Sequence, residues 1–232
     1  MKKLFAVFMA AVMAAVLMTG CGSGLGGEKL NVDSTEIQFA QPQSGDVVAK
    51  IHTSEGDIEV LLFEKYAPKA VQNFKQLAQA GYYNEITFHR TVENFIIQSG
   101  SPDGTANGGN SWWGLEFEDE FTDKLHHYNG ALAMANHGRD TNGSQFFFVT
   151  APIGEMSSDA QQQMRDAGWR EEVVSAYSQA GGLPQLDYRY TVFGQIYEGL
   201  NVAYKISRRE TDETERPQKD ITIESVEIIT VE

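Results

Sequence analysis

The sequence predicts a mainly β fold, closed or nearly closed on itself, with few helices. From Val47 onward, short runs rich in Val, Ile and Phe recur, separated by turns such as Asn107 to Asn110 and Asn142 to Ser144. Many short strands with few helical segments indicate a sheet that curls and closes. The 232 residues are 41% hydrophobic and include 13 Phe and 9 Tyr, which is enough to bury a real core and too much for a disordered chain. Long apolar runs are too few for a multi-span membrane protein. The single cysteine, Cys21, excludes an intrachain disulfide, so stability must come from packing.

The elements follow in chain order. Lys2 and Lys3 precede an apolar run from Leu4 to Met18, then Thr19, Gly20 and Cys21, the order of an export signal, so residues 1–20 are assigned as a signal peptide. The run is short of the roughly 20 apolar residues that a spanning helix needs. Gly22, Gly24 and Gly27 satisfy the dinucleotide spacing G-x-G-x-x-G formally, but no strand precedes them and no helix follows, so 21–46 is assigned as a flexible tether. Val47 to His52 and Ile58 to Phe63 predict a hairpin across Ser54 to Asp57. Pro68, then Val71, Phe74 and Ala78 at helical spacing, and Gly81 as a stop predict a helix over 67–80. Further strands are predicted at Thr87 to Arg90, Phe95 to Gln98, Ala131 to Ala135, Phe146 to Val149, Thr191 to Ile196 and Ile221 to Val231. Ser157 to Ala180 breaks this rhythm and predicts two helices, the first opened by a capping box of Ser158 and Gln161. The second carries Trp169, Val173, Tyr177 and Ala180 on one face. A helical hairpin is therefore inserted at about 153–184 of a domain spanning 47–232.

Charge and motif content narrow the chemistry. A net charge of −14, shifting to −16 if Lys2 and Lys3 leave with the leader, repels phosphate backbones and argues against nucleic-acid binding. No serine stands in G-x-S-x-G, no H-E-x-x-H occurs, and the domain has no cysteine to act as a nucleophile or metal ligand. The adjacent His126 and His127 would point to opposite faces of a strand, and with His52 they are expected to be solvated surface residues rather than metal ligands. Glu116, Glu118, Asp119 and Glu120 lack the glycine and spacing of a calcium loop and are expected to form a solvated face. What remains is a set of aromatic and uncharged polar residues around one arginine: Phe88 to Arg90, Phe95 to Gln98, Met134 to Asn136 and Gln145 to Phe147. Such a set can grip a chain without cutting it. Phe88, Ile97, Phe146 and Phe148 are expected in the barrel core.

Two resemblances sharpen this reading. Leu17 to Cys21 resembles a bacterial lipobox, which implies that Cys21 is the lipidated first residue of a mature protein anchored at the outer side of the cell membrane. The stretch FHRTVENFIIQSGSPDG at Phe88 to Gly104 is similar to the F-H-R-x-x-x-x-F-x-x-Q-x-G pattern of the cyclophilin family of peptidyl-prolyl cis/trans isomerases. MANHGRDTNGSQFFF at Met134 to Phe148 is similar to its M-A-N-x-x-x-x-T-N-G-S-Q-F-F block, and APKAVQNF, FEDE and VFG fall in the expected order. The resemblance implies a closed eight-stranded antiparallel β-barrel capped by two helices, the second at about Glu198 to Ser207. It implies no metal and no cofactor. The family's catalytic arginine falls on Arg90, with Phe95 and Gln98 beside it in the catalytic set. Phe95, Ile96, Phe147 and Leu186 take the positions that hold a proline ring, and Gln98, Ala135, Asn136 and Gln145 those that hold the peptide backbone. Tyr190 stands where the family usually has His and is carried into the substrate-binding set, as is His137, which replaces a small residue and is expected to narrow the pocket. Gln185 stands where many members carry Trp, which implies weak cyclosporin binding.

The implied partners are proline-containing peptides and exported proteins that are unfolded or still folding, with no nucleic acid, and with the membrane reached only through the lipid. The alternative is a partner- or peptide-binding module with incidental isomerase activity, in which Trp169 and Tyr177 of the inserted hairpin form a partner surface or lid; the hairpin's apolar face is expected instead to pack onto the barrel. The lipobox reading predicts that palmitate labels the wild-type chain in cells and does not label Cys21→Ala; an unlabelled wild type would overturn it.

Overall fold

The computed structural model describes Leu30, residues 32–154 and residues 156–232. The signal peptide, Cys21 and the Gly22 to Gly27 run lie outside the described residues. No helix among the described residues is long and apolar enough to cross a membrane.

Among the described residues, nine antiparallel strands form one sheet: β1 (Val47–Thr53), β2 (Gly56–Leu62), β3 (Ile86–Thr87), β4 (Arg90–Val92), β5 (Ile96–Ser99), β6 (Ala131–Met134), β7 (Phe146–Val149), β8 (Val192–Glu198) and β9 (Thr222–Thr230). The sheet order is β3-β9-β1-β2-β8-β6-β7-β5-β4. Its two edge strands are therefore neighbours in the chain. The continuous strand expected from Thr87 to Arg90 is instead bent, and it changes partner at the bend. The Phe88 N–H donates to Ile221 O at 2.9 Å on the β9 side, and the His89 N–H donates to Gln98 O at 3.1 Å on the β5 side. Counted as one bent strand, β3 and β4 join the two ends of the sheet into an eight-stranded barrel.

Alternation along the strands builds the core. Phe88, Ile97, Phe146 and Phe148 are all buried. Helix α1 (Pro68–Gln79) caps one end, and its fully buried Phe74 packs against Tyr83, Phe146 and Phe193 at ring separations of 5.1, 5.4 and 5.5 Å. Pro68 sits at its first turn, where a missing N–H costs nothing. The helix has no cap of its own; Glu120 supplies one, its carboxylate accepting from the Lys69 and Ala70 N–H groups at 3.1 and 2.9 Å. The expected solvated acidic face is thus corrected in part. Glu116 and Glu118 are exposed, but Asp119 accepts from the Asp140 N–H and from Asn142 Nδ2, both at 2.9 Å, and so binds one loop to another. Helix α4 (Leu200–Ser207) covers the second end and starts two residues later than expected, after Gly199 in the left-handed region at φ +87°.

The inserted hairpin lies between β7 and β8 as α2 (Ser158–Asp166) and α3 (Glu171–Ala180). Ser157, not Ser158, caps α2, its hydroxyl accepting from the Ala160 N–H at 3.1 Å. The hairpin has a small core of its own, in which Met164, Val173, Val174, Ala176 and Tyr177 close over Tyr128, with Phe39 and Trp169 at its margin. Tyr177 is fully buried and Trp169 half-buried, so the apolar face of the hairpin packs inward as expected and does not form the alternative partner surface. The tether assignment also needs correction where it nears the barrel. Glu36 forms a bidentate pair with Arg170 at 2.8 and 3.1 Å, and the buried Gln38 exchanges hydrogen bonds with the His126 backbone at 2.7 and 2.9 Å. A segment with buried polar anchors is part of the fold.

His89, at the closing bend, is 6% exposed, and burial together with the nearby Arg216 guanidinium pushes its imidazole down to about 4. The unfolded chain takes up this proton near the ordinary 6.5. Between those values the unfolded state binds more protons, so this contribution to stability is complete above 6.5 and is lost as pH falls toward 4. Denaturant unfolding across that range should show a shallower acid loss in His89→Gln than in wild type; equal slopes would exclude the effect.

Candidate active site

Three adjacent strands set the site. In the register of β4, β5 and β7, Arg90 lies opposite Gln98 and Gln98 opposite Phe147, so the three side chains stand in one row on one face. Thr91, Ile97, Phe146 and Phe148 alternate with them into the core. Apolar and polar walls therefore meet outside the barrel, around a cavity of about 400 Å³. All of the residues carried into the catalytic and substrate-binding sets line it: Arg90, Phe95, Ile96 and Gln98 on one side, then Ala135, Asn136, His137, Gln145, Phe147, Leu186 and Tyr190.

The apolar floor is Phe95, Ile96, Phe147, Leu186 and Tyr190, with the Tyr190 ring edge-on to Phe147 at 5.3 Å and 89°. Beside it, the Arg90 guanidinium lies 5.9 Å from the centre of the Phe95 ring. Its Nε donates to Glu215 Oε2 at 2.6 Å, and the Glu215 carbonyl accepts from the Thr91 N–H at 2.8 Å, so one residue holds both the strand and its arginine. Glu215 does this at φ +65°, a left-handed backbone that a non-glycine residue adopts at a cost of roughly 1 kcal/mol. Nothing in the sequence marks Glu215, because it meets Arg90 across 125 positions of chain.

The polar wall is a loop that includes the predicted turn Asn107 to Asn110. Gln98 Nε2 donates to Gln145 Oε1 at 2.9 Å, and Gln145 Nε2 donates to Ala106 O and Gly108 O at 2.9 and 2.7 Å. Gln145 thereby fixes the segment from Ala106 to Ser111 as a lining element. Gly109 makes this close approach possible: its φ is +101°, and a Cβ there would lie 2.0 Å from Ser144 Oγ. The Asn136 amide is tied by donation to Arg189 O and Asp119 Oδ1 at 3.2 and 3.3 Å. His137 is exposed at the rim, its N–H donating to Thr141 Oγ1 at 2.9 Å.

His126 and His127 overturn the surface expectation. Their side chains are 4% and 1% exposed, and both Nδ1 atoms donate to the same carboxylate, Asp187, at 2.7 Å. They do not sit in a strand, so strand alternation does not separate them. His52 keeps its expected place near the surface, 2.9 Å from Asp57. Among the described residues, no three His, Cys, Asp or Glu side chains are arranged to hold a metal ion.

The outer face of the closed barrel thus carries an apolar floor, an arginine and a rim of amides around one cavity. The family described as cyclophilin type peptidyl-prolyl cis-trans isomerase/CLD matches residues 48–228, and the chain belongs to it. The chain is similar to a protein of Staphylococcus saprophyticus that is by name a peptidyl-prolyl cis-trans isomerase, at 44% identity over 77% of this chain and 90% of that one. A Staphylococcus aureus protein of the same name is 42% identical over 80% of this chain and 93% of its own. Among solved structures, a Cryptosporidium parvum cyclophilin type isomerase aligns with a TM-score of 0.65 and 30% identity, covering 81% of this chain and 99% of that one. The same protein in the presence of the dipeptide Ala-Pro aligns with a TM-score of 0.63 and 31% identity, covering 77% of this chain and 96% of that one. The chain is thus a peptidyl-prolyl isomerase of cyclophilin type.

Proposed function

We propose that this isomerase is a lipid-anchored protein that accelerates prolyl isomerisation in exported chains at the outer side of the cytoplasmic membrane, and that Arg90 stabilises the twisted prolyl amide. The observation that carries the catalytic part is the row of Arg90, Gln98 and Phe147, which sets a guanidinium beside an apolar floor. The relative studied in the presence of Ala-Pro supports a prolyl dipeptide as ligand of this floor. The location rests on the apolar leader and on Cys21 at its end.

Rotation about a prolyl amide is slow because the C–N bond is partly double, with a barrier of about 18 to 20 kcal/mol. In the twisted state that conjugation is lost, and the prolyl nitrogen becomes pyramidal and basic. A cation that donates a hydrogen bond to that nitrogen binds the twisted state better than either planar isomer, which lowers the barrier without a covalent step. Arg90 has the charge and the position. With its Nε engaged by Glu215, donation falls to the terminal nitrogens, and the guanidinium does not have to be ordered when substrate arrives. Phe95, Ile96, Phe147, Leu186 and Tyr190 hold the proline ring, while Gln98, Ala135, Asn136 and Gln145 hold the main chain beside it, so that rotation is confined to one bond. His137 at the rim contacts the flanking residue. Gln185, exposed where many members of the family carry Trp, supports weak cyclosporin binding.

Isomerisation of an Ala-Pro peptide by the full chain in detergent micelles tests this. Arg90→Ala should lower kcat/KM by about 100-fold, almost all of it in kcat, as expected for loss of a donor made only to the transition state; unchanged turnover would remove Arg90 from the mechanism. Glu215→Ala should lower kcat by about 10-fold through loss of guanidinium orientation. Because Glu215 is nearly half exposed, its loss should cost no more than about 1 kcal/mol of stability, so an intact melting temperature beside a reduced kcat separates positioning from folding.

A further inference from the structure

The inserted hairpin contributes no residue to the pocket lining, yet it reaches the pocket through one buried carboxylate. Asp187 follows Leu186 in the chain, and its side chain is 2% exposed. Four donors converge on its two oxygens. Oδ1 accepts from the His127 N–H at 2.8 Å and from His127 Nδ1 at 2.7 Å; Oδ2 accepts from His126 Nδ1 at 2.7 Å and from the Tyr177 hydroxyl of α3 at 2.9 Å. Burial alone would raise this carboxyl, but the hydrogen bonds from the two histidines outweigh it and hold Asp187 below the usual carboxylate range. Two donors on each oxygen suit a carboxylate and no amide, because an amide turned either way sets its NH2 against two donors.

The far side of this cluster is the pocket floor. The His127 ring stacks behind Phe147 at 6.0 Å and 13°, and Tyr190 meets His127 edge-on at 6.3 Å. The segment leaving α3 presses on the same strip of backbone: the Leu183 N–H donates to His127 O at 2.8 Å, and a Cβ at Gly182 would lie 2.4 Å from that oxygen. Phe147 and Tyr190 therefore pack against His127, Leu186 is joined in the chain to Asp187, and α3 supplies one of the four hydrogen bonds that Asp187 accepts.

We propose that Tyr177 and Asp187 are positioning residues for the proline pocket, through which the inserted hairpin sets the affinity of the site for prolyl peptides. This rests on the assignment of Phe147, Leu186 and Tyr190 to the proline ring. A wall that touches the ring equally in the planar and twisted states acts on KM, not on kcat. The experiment measures KM, kcat and melting temperature for the full chain in detergent micelles with an Ala-Pro peptide. Tyr177→Phe keeps the buried ring and removes only the hydroxyl; it should raise KM by about fivefold, the worth of one buried hydrogen bond, with kcat held within about twofold. Asp187→Asn should raise KM further. Arg165→Ala breaks an exposed ion pair with Glu171 inside the hairpin and should leave KM unchanged. A folded Tyr177→Phe with a lowered melting temperature and unchanged KM would make the contact purely structural and overturn the proposal. So would an equal KM rise in Arg165→Ala, which would point to general loosening of the hairpin. Phe147→Ala separates the two levels: if it leaves KM unchanged, the pocket assignment itself fails, whereas a raised KM there beside an unchanged KM in Tyr177→Phe overturns the hairpin contact alone.

Discussion

Antiparallel pairing of β4, β5 and β7 is the constraint on which the rest of the structure depends. A strand turns successive side chains to opposite faces, so three consecutive phenylalanines, Phe146 to Phe148, cannot share one environment. The outer two enter the core, and Phe147 is left as the floor of the pocket. The same rule on β5 sends Ile97 inward and turns Ile96 and Gln98 outward. A slip of one residue in either register would exchange core for pocket along the whole row. Core and site are therefore two faces of one pairing, and the rigidity of the first passes directly to the second.

Around that row the chain has little regular structure, and acidic and amide side chains take over the role of a hydrogen-bonded ladder. Glu120 caps α1 from a distant loop, Asp119 joins two loops, Gln145 holds the wall from Ala106 onward, and Glu215 holds Arg90. Each accepts from, or donates to, groups that would otherwise be unpaired near the surface. These carboxylates and amides hold the loops and the Arg90 guanidinium in place around the cavity. The surplus of acidic residues over basic ones thus has a structural use that the net charge conceals.

The hairpin adds a second, smaller core to the barrel instead of an arm that projects from it. The segment before β1 is bound to the hairpin by Glu36 and Arg170, and the hairpin is bound to the floor of the site by Tyr177 and Asp187. Three parts of the chain, far apart in sequence, meet at His126 and His127. A buried cluster with every carboxylate lone pair engaged has one well-defined arrangement, and elements that share it are held in a fixed relation.

The strands, α1, the paired helices of the insert and the residues around the cavity were legible in the sequence because each is written in a local pattern. A short run of β-favouring residues identifies Phe146 to Val149, helical spacing identifies Val71, Phe74 and Ala78, and the two long motifs carry Arg90 through Gln98 and Met134 through Phe148. Tertiary structure alone decided the partner of Arg90, the cap of α1, the bend at Phe88 and His89 that closes the barrel, and the burial of His126 and His127. Each of these depends on a contact between residues tens of positions apart or more, 125 in the case of Arg90 and Glu215 and 60 in that of His127 and Asp187. Hydrogen bonds and ion pairs of that kind impose no period on the chain that carries them; they exist only once the barrel has closed and brought its loops together.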